Sequence, residues 1–70
     1  MNGTIIDNSE KIATLNQKIE QLLLQYRSKH DELELAVEEW DIGEIQESLA
    51  FYTKEINLLK KQVHLLKENN

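Results

Sequence analysis

His30 and Glu34 stand four residues apart, as do His64 and Glu68. On a helix that spacing puts an imidazole and a carboxylate on one face, where together they can hold a divalent metal. A metal site needs a third and usually a fourth ligand, and the chain has no cysteine and only two histidines. Surface side chains are therefore the better reading of both pairs, and no metal or cofactor is expected. Between Asp31 and Glu47 lie eight carboxylates and no lysine or arginine. They lack the spaced Asp/Asn pattern, central glycine and closing glutamate of an EF-hand loop. The run could imitate DNA phosphates, but a solvated acidic helix turn explains it with less. No glycine-rich phosphate loop, serine–histidine–acid set or pair of carboxylates in a cleft can be drawn from these residues. The expectation is a protein without catalytic residues, not an enzyme.

The elements that carry these residues are helical. The chain has 70 residues, no proline and two glycines, and Leu, Ile, Glu, Lys and Gln dominate it. Such a composition permits long uninterrupted helices. A single domain this short buries too little surface to be comfortably stable without a staple or a partner, and the missing cysteines rule out a disulfide staple. The net charge of −5, with Arg27 the single arginine, argues against nucleic acid as a ligand. The longest apolar runs, such as Leu22-Leu23-Leu24, are too short to cross a bilayer. Residues 1–7 contain no basic residue and no long apolar stretch, so neither a signal peptide nor a membrane partner is expected, and the cytoplasm is the expected location.

Two heptad series organise the chain. The first runs Ile12, Leu15, Ile19, Leu22, Tyr26, Lys29, Leu33, Ala36, Trp40, with Lys29 as its polar interruption and Leu23 and Val37 widening the stripe. The second runs Ile42, Ile45, Leu49, Tyr52, Ile56, Leu59, Val63, Leu66. The two registers differ by two residues, so one straight helix cannot keep both on one face. Asp41 and Glu44 are spaced as a capping box, and Trp40 and Ile45 as the hydrophobic staple that accompanies one. The expectation is a first helix over about 8–38, with Asp7 and Glu10 offering a box at its start. A turn over about 39–41 follows, then a second helix over about 42–67. So short a turn folds the helices into an antiparallel αα-hairpin. Residues 1–6 and Asn69-Asn70 are expected to fray. Ser28-Lys29-His30-Asp31 contains cap-like residues, so the first helix could also be two shorter ones.

A hairpin buries one stripe per helix, and the second helix has another. Phe51, Leu58 and Leu65 recur every seven residues, about 100° around the helix from Tyr52, Leu59 and Leu66. Leu24 and Leu35 also lie off the main stripe of the first helix. An apolar strip of this kind marks an interface more often than scattered surface leucines do. Dimerisation into a four-helix bundle is the economical expectation. The acidic residues gather at the turn end of the hairpin, whereas Lys11, Lys18, Lys60, Lys61 and Lys67 gather at the open end. Two copies would set tip against open end to relieve repulsion, with apolar packing supplying the stability. The candidate protein-binding residues are Phe51, Leu58 and Leu65 on the strip, Glu34, Glu38, Glu44 and Glu47 on the tip, and Trp40, which is either an interface anchor or a staple at the turn.

Trp40-Asp41-Ile42-Gly43 at the bend of a helical hairpin resembles the bend of the small secreted WXG proteins of type VII systems. Two residues stand here between Trp and Gly where that family has one. Phe51 and Glu55 resemble its export motif, but they lie inside the second helix and not in a C-terminal tail, and the chain is shorter than the family's members. In architecture alone the chain is similar to small dimeric RNA-binding hairpins of the Rop type. It lacks the basic face that RNA binding requires, so that likeness concerns shape. The leading functional expectation is a regulatory or adaptor protein of bacterial or phage type. It would form a homodimer and bind an unidentified target protein that presents a basic surface. The alternatives are a structural coiled-coil scaffold and a type VII secretion partner protein.

Overall fold

The computed structural model describes residues 8–68, which form two helices, α1 over Asn8–Leu35 and α2 over Glu39–Glu68, packed against each other. The expected Asp7–Glu10 box and the expected fraying of residues 1–6 and 69–70 lie outside the described residues.

The first heptad series from Ile12 to Leu33 and the second from Ile42 to Leu66 become the inner faces of α1 and α2, whereas Trp40, the last of the first series, falls in α2 and is exposed. Ile19, Ile56 and Val63 are buried together, with Ile12, Leu15, Leu22, Leu23 and Leu59 packed around them, and Ile45 is buried nearer the turn. Burial is shallow, because a two-helix hairpin leaves each inner side chain partly in reach of water, and among the described residues no large side chain is fully buried. Lys29 does not break α1. It sits half-buried in the stripe and pairs with Glu32 one turn on, Nζ to Oε2 3.4 Å, so its apolar stem packs while its charge stays at the edge. α1 is accordingly one helix of 28 residues and not two shorter ones. At the open end the Asn8 side-chain amide donates to the Leu66 carbonyl at 3.4 Å and ties the start of α1 to the end of α2.

The turn comes earlier than the sequence suggests. It occupies residues 36–38, and α2 already includes Glu39, Trp40 and Asp41. The Ala36 amide closes the end of α1 on the Leu33 carbonyl at 3.2 Å, and the Glu38 carbonyl accepts the Ile42 amide at 3.0 Å. Asp41 is therefore a first-turn residue and not the N-cap. Its carboxylate, with that of Glu39, stands where the positive end of the helix dipole favours negative charge. Trp40 is 70% exposed and Val37 88%, so the Trp40–Ile45 staple is not made and Val37 does not widen the stripe. Starting α2 three residues earlier satisfies three more backbone carbonyls in the helical ladder, which outweighs a staple at an exposed corner. Gly43 lies within the helix with no positive φ, and a Cβ there would meet nothing within 4 Å.

Candidate functional site

Among the described residues the large exposed apolar side chains are Leu24, Leu35, Val37, Trp40, Phe51, Leu58 and Leu65. Four of them share a line on α2. At about 100° per residue, Trp40 lies about five full turns before Leu58 and so has the same azimuth, and Phe51 and Leu65 fall within roughly 20° of it. Ile56 and Val63, the buried residues facing α1, lie roughly 140–160° away. The strip therefore runs along the side of α2 turned from α1, from Trp40 at the tip to Leu65 near the open end. Trp40 belongs to this strip only because α2 begins at Glu39, and a helix starting at Ile42 left it out. Phe51 is held edge-on to Tyr52, with ring centroids 5.8 Å apart.

A second feature lies at the tip. An open groove of about 730 Å³ runs between the ends of the helices, with Lys29, Glu32, Leu35 and Ala36 on the α1 side and Asp41, Glu44, Ile45, Glu47, Ser48, Phe51 and Tyr52 on the α2 side. Buried Ile45 and half-buried Ala36, Ser48 and Tyr52 form its base, apolar apart from the hydroxyls of Ser48 and Tyr52, and exposed Leu35 and Phe51 stand at its margins. Of its four carboxylates, Glu32 is paired with Lys29, while Asp41, Glu44 and Glu47 have no ion pair among the described residues. The acidic tip and the apolar strip, separate along the sequence, meet here, because the groove brings Glu44 and Glu47 together with Phe51. Glu34, Glu38, Trp40, Leu58 and Leu65 are not part of it. Leu35 and Ile45 line the groove without any mark in the sequence, since nothing in a linear pattern shows which ends of two stripes face across a turn.

The two histidine–glutamate pairs form as surface contacts, His30 Nδ1 to Glu34 Oε1 at 3.8 Å and His64 Nε2 to Glu68 Oε1 at 3.2 Å. His30 also stacks against Tyr26, centroid to centroid 6.3 Å. Both pairs are exposed, and among the described residues no group of three or more His, Asp or Glu side chains converges. Among the described residues no helix is long and apolar enough to cross a membrane. No protein-family model, curated protein or solved structure matches this chain.

Proposed function

We propose that this chain is a non-enzymatic protein–protein interaction module, a small regulatory or adaptor protein of bacterial or phage type. In this proposal it self-associates through the outer strip of α2 and engages a target protein at its acidic tip. The observation that carries this reading is the alignment of Trp40, Phe51, Leu58 and Leu65 on one line of α2 that the hairpin itself does not use. Scattered surface leucines would not share an azimuth over about seven turns. A cytoplasmic location is part of the same proposal.

Because the strip faces away from α1, pairing through it sets two α2 helices in the centre and the α1 helices outside, a homodimer of four helices. Placing each acidic tip toward the other copy's lysine-bearing end avoids bringing two sets of eight carboxylates together. The test compares neighbouring leucines. Leu58→Asp should leave the hairpin helical and abolish the dimer, whereas Leu59→Asp, at the edge of the core, should unfold the chain. A Leu58→Asp chain that remains a stable dimer contradicts the strip as interface. Open-ended association of the unaltered chain would favour the structural scaffold instead.

A further inference from the structure

We infer that the tip groove is a receptor for a basic amphipathic helix of a partner protein, seated with its apolar face on Ala36, Ile45 and Tyr52 between Leu35 and Phe51. The inference rests on the proposed interaction role and specifies the target end of it. The groove offers an apolar base, which favours an apolar stripe in its occupant. Along α2 it extends from Asp41 to Tyr52, about 16 Å or three helical turns, the length over which such a stripe presents its anchors. Its rim carries Asp41, Glu44 and Glu47, unpaired by any cation among the described residues, against one lysine that already has Glu32. Carboxylates left unpaired beside an apolar base repel one another, and lysines or arginines flanking an occupant's apolar stripe relieve that repulsion as they dock. An acidic occupant, an anionic membrane surface or a second acidic tip would add to it. The groove is open to solvent along its side, which suits a helix rather than an enclosed small molecule.

The test titrates the full-length ¹⁵N-labelled chain with a synthetic lysine–leucine peptide of about fourteen residues, patterned as an amphipathic helix. The expected result is amide shift changes centred on Leu35, Ala36, Glu44, Ile45 and Phe51. The combined change Asp41→Asn, Glu44→Gln and Glu47→Gln should weaken binding about tenfold at low ionic strength and less at high salt. Phe51→Ala should weaken it with helicity unchanged, and the same peptide with glutamates for its lysines should not bind. The inference is overturned by absent binding, by equal affinity for the triple variant, or by shifts centred on Leu58 and Leu65 or on the open end. Spermine producing the same shifts would make the site a simple cation trap. Concentration-dependent shifts at the groove without peptide would make a second copy its occupant. Phe51 belongs to both surfaces, so the two proposals are separated by variants that touch only one. Leu58→Asp, outside the groove, should lose the dimer and keep peptide binding, and the triple carboxylate variant should lose peptide binding and keep the dimer.

Discussion

Leu58 and Leu59 are chemically identical neighbours with opposite duties, because a helix turns about 100° between them. Leu59 packs on Ile19, Ile56 and Val63, while Leu58 is 47% exposed. A carboxylate at Leu59 would be held against apolar neighbours, and a hairpin with so shallow a core has little stability to lose. Circular dichroism should therefore record collapse of the helical signal for Leu59→Asp and its retention for Leu58→Asp. Gly43 offers the reverse change. It lies in α2 with helical backbone and open space where a Cβ would stand, so its freedom serves no turn or close approach. Gly43→Ala should stabilise the chain by about 0.5–1 kcal/mol. A thermal melt that rises by a few degrees supports this, and an unchanged or lowered midpoint speaks against a regular helix at residue 43.

At the scale of the elements, both inner stripes could be read from periodicity, and Ile12, Leu15, Ile19, Leu22, Leu33, Ile42, Ile45, Ile56, Leu59 and Val63 all turn inward in the structure. The turn could not be placed as well. Asp41 with Glu44, and Trp40 with Ile45, satisfy the spacing rules of a helix start. Those rules describe which side chains can cap an end, not which backbone carbonyls are free to extend the ladder, and the helix gains from continuing back to Glu39. The groove was hidden for a related reason, since it depends on Leu35 and Phe51 flanking the same gap once the turn is three residues long. The turn also fixes opposite electrostatic roles for like charges. Glu34 sits in the last turn of α1, at the negative end of its dipole, and Glu39 in the first turn of α2, at a positive end. At low ionic strength Glu34→Gln should raise stability and Glu39→Gln should lower it, each by about 0.3 kcal/mol. Both effects should fade in high salt. Equal signs for the two variants in denaturant titrations would contradict helix ends at residues 35 and 39.

The whole molecule is a hairpin whose two stripes satisfy each other and leave a second apolar line on the outside of α2. Eight of its thirteen acidic residues lie at the turn and five of its seven lysines, Lys11, Lys18, Lys60, Lys61 and Lys67, lie toward the other end, so the two ends differ in charge. Among the described residues seven large apolar side chains are exposed, more than a hairpin needs for its own folding, and four of them are aligned. A surface of that kind is stabilised when a second surface removes it from water, at roughly 25 cal/mol per Å² of apolar area. The most direct measurement is sedimentation equilibrium of the unaltered chain over a range of concentrations, at moderate salt where charge repulsion between acidic tips is screened. The expected result is a reversible association that reaches twice the 8.2 kDa chain mass and goes no further. A single species of 8.2 kDa at every concentration would contradict it.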